Sequence, residues 1–157
     1  MDKVLKLEEA IKTSKKLRDQ GKVLVLAGGC FDVLHRGHLA YLEGAKQQGD
    51  TLFVALEGDE NVGKLKGPGR PVNTQRKRAE NLAALESVDY ITLLPTLTSD
   101  SDYFSLTKKL SLDVIAITEG DPNQTEKEKQ ANIVGGKVIV VTKRLAHFST
   151  TEFLKHI

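Results

Sequence analysis

Apolar residues recur along the chain in two alternating rhythms. Five short runs, at residues 23–27, 50–56, 90–94, 113–117 and 137–141, are nearly unbroken in valine, leucine, isoleucine and alanine. Runs of this length between turn residues read as strands, and the first, at residues 23–27, reads as one covered on both faces. Elsewhere the apolar positions fall at helical spacing. Val4, Leu7, Ile11 and Leu17 mark a first helix within residues 1–21, ended by Gly21, which packs one face on the sheet as a scaffold. Leu39, Leu42 and Ala45 mark a second, beginning near His35 or Arg36 and ending near Gly49. Thr74 is placed to cap a third through Leu82 and Leu85, and Ser99-Asp100-Ser101-Asp102 offers caps for a fourth carrying Tyr103, Leu106 and Leu110. A polar helical stretch follows at residues 124–132, and Phe153, Leu154 and Ile157 form the face of a last helix. Residues 58–74 lack either rhythm and read as a loop rich in glycine, proline and positive charge.

Strand and helix alternate, so residues 1–157 are expected to form one α/β domain. The fold class this predicts is a Rossmann-like doubly wound sheet of five parallel strands in the order 3-2-1-4-5, with right-handed crossovers. Its ligand crevice lies where the strand order reverses, between strands one and four.

Composition narrows the functional classes. The formal net charge is only +2, and no basic run with interleaved aromatics appears, so nucleic acid is not an expected partner. A single cysteine precludes a disulfide within the chain. Residues 1–20 are charged throughout, which argues against a signal peptide, and no apolar run approaches membrane-spanning length. A cytoplasmic protein is the expectation.

The chemistry concentrates in one stretch, Gly28-Gly29-Cys30-Phe31-Asp32-Val33-Leu34-His35-Arg36-Gly37-His38, between the first strand run and the second helix. Glycines at a buried strand end let a ligand approach the backbone, and the helix that follows aims its unpaired N–H groups and positive dipole end at the same space. His35 and His38, three residues apart, share one helix face, with Gly37 leaving room between them. Imidazoles donate to phosphate oxygens and can gain charge near neutral pH, so this is a candidate phosphate site. Two structural readings stand beside it, a metal site and a capping role. A closed zinc shell is hard to assemble from one cysteine and the remaining His147 and His156.

The His-x-Gly-His constellation resembles the signature of the nucleotidylyltransferase superfamily. Leu65-Lys66-Gly67 followed by Arg70-Pro71-Val72-Asn73 is similar to a loop of the bacterial sugar-phosphate adenylyltransferases that make ADP-heptose, whose pattern continues with an arginine at Arg78. Gly120-Asp121, after strand four, matches a turn near the nucleoside in that family, although Glu119 stands where the family has glycine. Arg144 and Ser149-Thr150-Thr151 match the segment that superfamily cytidylyltransferases carry at the last helix, with Ala146-His147 replacing an acidic residue and a glycine.

The resemblance implies that an acceptor phosphate attacks a nucleoside triphosphate, releasing pyrophosphate. His35, His38 and Lys66 would be catalytic. Gly29, Cys30, Phe31, Arg78, Gly120, Asp121, Arg144, Ser149, Thr150 and Thr151 would join the histidines in holding the nucleotide. Asp32 and Arg70 would join Lys66 in holding the acceptor. Magnesium (Mg2+) would ride mainly on the triphosphate, with no dedicated protein ligands. ATP and heptose 1-phosphate lead as substrates, and a homodimer is expected. The alternatives are a cytidylyltransferase of glycerol 3-phosphate or another alcohol phosphate, an FMN adenylyltransferase, and a non-catalytic nucleotide-binding regulator.

Overall fold

The strand at Thr51–Leu56 has every residue buried, and its side chains explain why its sequence from Leu52 onward is unbroken Leu, Phe, Val and Ala. Successive side chains point to opposite faces, so a strand that alternates between two cores needs apolar residues at every position. Leu52, Val54 and Leu56 enter one core, while Phe53 and Ala55 enter the other. The computed structural model describes residues 2–143.

The elements in chain order are β1 (Val4–Lys6), α1 (Leu7–Asp19), β2 (Leu24–Gly29), α2 (Arg36–Lys46), β3 (Thr51–Leu56), α3 (Asp59–Lys66), α4 (Gln75–Ala83), β4 (Tyr90–Leu93), α5 (Asp100–Leu110), β5 (Val114–Thr118), α6 (Gln124–Ile133) and β6 (Lys137–Thr142). All strand pairs are parallel, and the sheet runs β1-β4-β3-β2-β5-β6. Helices α2 and α4 cover one face through Tyr41, Leu42, Ala45, Ala79 and Leu82. Helices α1 and α5 cover the other through Ala10, Leu106 and Leu110, and Ala131 of α6 packs with Ile115 and Ile117. From β2 the chain winds one way over one face, and from β5 it winds the other way over the opposite face. The crevice therefore opens between the carboxyl ends of β2 and β5.

The sheet has six strands, not five. Removing β1 leaves the remaining strands in the expected relative order, with β1 added beside β4 through Val4 opposite Ile91. The expected first helix is accordingly a short strand, β1, followed by the helix α1. Val4 sits in the edge strand, and the helix starts at Leu7, where Glu9 Oε1 accepts the Lys6 N–H at 3.1 Å. The expected loop at residues 58–74 also contains a helix, α3. Asp59 and Glu60 complement its positive end, Lys64 and Lys66 its negative end, and Gly67 closes it at φ 94°. Among the described residues no helix is long and apolar enough to cross a membrane.

Candidate active site

Strand β2 ends at Gly29, and six residues later His35 caps α2 in an extended conformation (φ −140°, ψ 177°). The Gly37 N–H donates to His35 Nδ1 at 3.1 Å, and the His35 N–H donates to His38 Nδ1 at 3.3 Å. With its Nδ1 accepting, the neutral His35 ring carries its proton on Nε2. The rings stack with centroids 3.9 Å apart and planes 21° from parallel. Burial lowers the His35 pKa. Burial, then the charges of His35 and Lys66, lowers His38 to about 3 against a weak opposing pull from the Val33 carbonyl. Before any anion arrives, the pair is therefore uncharged at neutral pH.

Phe31 shapes the wall beside them. Its φ of +46° is rare for a residue with a Cβ, and its ring is buried with its centroid 5.3 Å from His38. The turn depends on the glycine before it, because a Cβ on Gly29 would lie 2.9 Å from the Phe31 ring. Burial raises the Cys30 thiol pKa and outweighs the opposing charge of Lys66, so the cysteine stays protonated. Lys66, exposed at the end of α3, is close enough for its charge to act on both Cys30 and His38.

Beneath this wall the loops are tied together by buried charge. Asp32 is 1% exposed and accepts from Arg70 Nε at 2.8 Å and from the backbone N–H groups of Val72 and Asn73 at 2.8 and 2.9 Å. Burial raises its pKa, but these donors outweigh it and hold the carboxyl below its ordinary value. Asp32 and Arg70, expected to hold the acceptor, thus fix the loop that carries Val72 and Asn73. Arg78, expected on the nucleotide, is fully buried and donates to the carbonyls of Asn73, Cys30 and Glu57 at 3.0, 2.8 and 2.8 Å and to Asp59 Oδ1 at 2.7 Å. It binds three crevice loops from within.

Across the switch point, Gly120 turns the chain after β5 at φ 76°, and Asp121 is bound by the Asn123 N–H at 2.7 Å and by Lys127 at 2.6 Å. Arg144, Ser149, Thr150 and Thr151 lie outside the described residues. Sequence reasoning passed over Glu57, Asn61 and Tyr103, which cluster at the end of β3. The signal was a charged residue directly following the apolar run from Leu52 to Leu56. Glu57 is 7% exposed, its Oε2 accepts from the Tyr103 hydroxyl at 2.6 Å, and the Asn61 side chain donates to the Leu97 carbonyl at 2.9 Å. Among the described residues no group of three or more His, Cys, Asp and Glu side chains is arranged to hold a metal ion.

The cytidylyltransferase-like family model matches residues 26–156. The bifunctional protein HldE of Alcanivorax borkumensis is 38% identical over 142 residues, which cover 89% of this chain and 29% of that protein. The chain thus spans less than a third of that relative's length. Among solved structures, the lipopolysaccharide core biosynthesis protein of Thermoplasma volcanium superposes with a TM-score of 0.62 at 25% identity, over 78% of this chain and 96% of that one. The pantoate-beta-alanine ligase of Francisella tularensis, complexed with beta-gamma ATP and beta-alanine, superposes with a TM-score of 0.68 at 14% identity, over 98% and 72%. The last likeness speaks to the fold alone.

Proposed function

Because the chain belongs to the cytidylyltransferase-like family, we propose that it transfers a nucleotidyl group from ATP to a sugar phosphate such as heptose 1-phosphate, releasing pyrophosphate. The observation that carries this reading is the stacked His35–His38 pair at the mouth of β2, with Lys66 acting on it from α3. The similarity to HldE and to a lipopolysaccharide core biosynthesis protein favours a sugar phosphate as the acceptor.

The acceptor phosphate is already a nucleophile, so the chain needs no covalent intermediate. An acceptor oxygen forms a bond to the α-phosphorus, the bond from that phosphorus to the bridging oxygen of the β-phosphate breaks, and pyrophosphate leaves with the electron pair. The difficulty is the meeting of two anions and the charge that builds as they react. His35 and His38 hold the triphosphate, and Lys66 offsets the acceptor's charge. Phe31 and Cys30 form a wall that presents backbone and excludes water. Arg144, Ser149, Thr150 and Thr151 grip the β- and γ-phosphates in the same reading.

Magnesium supplies further charge neutralisation when it is bound to the triphosphate. The crevice donors fit an ion carried by phosphate oxygens, since Asp32 and Asp121 are already engaged by Arg70 and Lys127. We assign the activity to the cytoplasm and to a homodimer, whose assembly sedimentation would read. The decisive experiment crosses ATP, CTP, GTP and UTP with heptose 1-phosphate, glycerol 3-phosphate, phosphocholine and FMN, and measures pyrophosphate. Turnover with ATP and heptose 1-phosphate is expected. Turnover confined to CTP and an alcohol phosphate would reject these substrates, and nucleotide binding without any turnover would reject the enzyme.

A further inference from the structure

Glu57 holds a buried carboxylate oxygen that nothing in the described chain uses. The residue is fixed on three sides: its N–H donates to the Gly29 carbonyl at 3.1 Å, its carbonyl accepts from Arg78 at 2.8 Å, and its Oε2 accepts from the Tyr103 hydroxyl at 2.6 Å. The other oxygen, Oε1, is buried without a hydrogen-bond partner. Leaving a charged acceptor unsatisfied in a low-dielectric setting costs free energy, so a side chain anchored this firmly in that state is suited to a ligand.

Its surroundings define the ligand. Glu57 follows the last residue of β3, and its charge acts on the Cys30 thiol in the candidate site's wall. It stands on the β3 side of β2, away from the β2–β5 switch point where the nucleotide is expected. A carboxylate repels phosphate but accepts strongly from a hydroxyl. The phosphate of an incoming sugar phosphate would meet Lys66, leaving its hydroxyl groups to find acceptors elsewhere.

We propose that Glu57 Oε1 accepts a hydrogen bond from a sugar hydroxyl of the acceptor substrate, with Tyr103 as the residue that positions the carboxylate. This rests on the reading above only in taking the acceptor to be a sugar phosphate. A purely structural Glu57 would affect stability and both substrates alike, whereas a hydroxyl-binding Glu57 affects one substrate and one hydroxyl.

The test uses the full chain, ATP and magnesium with heptose 1-phosphate and its set of monodeoxy forms. Glu57→Gln is expected to raise the acceptor KM by about ten- to a hundredfold, the scale of a charge-assisted hydrogen bond, while the KM for ATP and kcat stay within about twofold. One deoxy form should show the same KM with both proteins, which identifies the hydroxyl. An unchanged acceptor KM, an equal rise for every deoxy form, or an equal rise for ATP overturns the proposal. Should Glu57→Gln fail to fold, Tyr103→Phe takes its place, with a smaller rise and the same deoxy pattern expected. No rise there overturns it too. If heptose 1-phosphate binds without turnover, calorimetry reads the same comparison, and equal Kd values for both proteins count against Glu57. Turnover of phosphocholine alone would overturn this inference and leave nucleotidyl transfer standing.

Discussion

Asp32 and Arg70 form an ion pair almost sealed from solvent, with Arg70 Nε 2.8 Å from Asp32 Oδ2 and side-chain exposures of 7% for Arg70 and 0% for Asp32. Replacing one partner leaves the other charge buried and alone, a loss of about 3–5 kcal/mol. Asp32→Asn should therefore lower stability by that order, read as a shift in the urea midpoint at pH 7. Asp32 titrates below its ordinary value when folded. Its contribution is thus full above the unfolded pKa of about 3.9 and fades as pH falls through the lower folded value. The gap between wild type and variant should narrow only in strong acid, and a gap already closed at pH 5 would refute the sign.

His38 should matter more to the transition state than to nucleotide binding. His38→Ala is expected to slow pyrophosphate release by at least about a hundredfold, the scale of one lost preorganised donor. Normal turnover by this variant would remove the central role given to the pair.

The same histidine makes stability depend on acid. Its pKa falls from the ordinary 6.5 to about 3 in the folded chain. Between those values the unfolded chain binds a proton that the folded one excludes, so stability declines as pH drops through this window. His38→Gln should flatten that decline in urea titrations from pH 7 to 4. An unchanged slope would mean that another group is responsible.

Cys30 is held protonated by burial. Cys30→Ala should keep most of the transfer activity, and mass spectrometry of the wild-type protein quenched during turnover should find no nucleotide on the thiol. An adduct there would replace direct attack by a two-step route.

Arg78→Lys can keep at most part of a four-bond arrangement that spans Asn73, Cys30, Glu57 and Asp59. Its expected cost is about 3 kcal/mol of folding stability with little change in the KM for ATP. A raised KM for ATP at unchanged stability would return Arg78 to the nucleotide.

The four inner strands were legible because burial on both faces demands continuous apolar runs, as in β3, and the half-exposed edge strand β6 was legible from its unbroken Val138-Ile139-Val140-Val141. β1 was not, since three edge residues leave little pattern and Val4 happens to fall in step with Leu7 and Ile11. Helix α3 was hidden for a related reason: Val62 is its one buried apolar residue, while Leu65 is 65% exposed. In the site, the spacing of His35 and His38 foretold that they would come together. The partners of Arg78 and Asp32 were not foretold, because a sequence names a charge without showing whether it faces water or the carbonyls of its own loops. Glu57 drew no notice because the run before it ended so clearly at Leu56.

The Nδ1 contacts of the two histidines alter what an anion meets at α2. A bare helix end would offer its amides directly, yet here the Gly37 N–H and the His35 N–H are taken up by imidazole nitrogens. The rings thus stand between the helix and the crevice, each taking up a backbone donor at its Nδ1 edge. In the nucleotidyl-transfer reading, the point of contact for phosphate moves outward by a ring's width. Any anion small enough to reach these two amides must first displace a histidine ring from each.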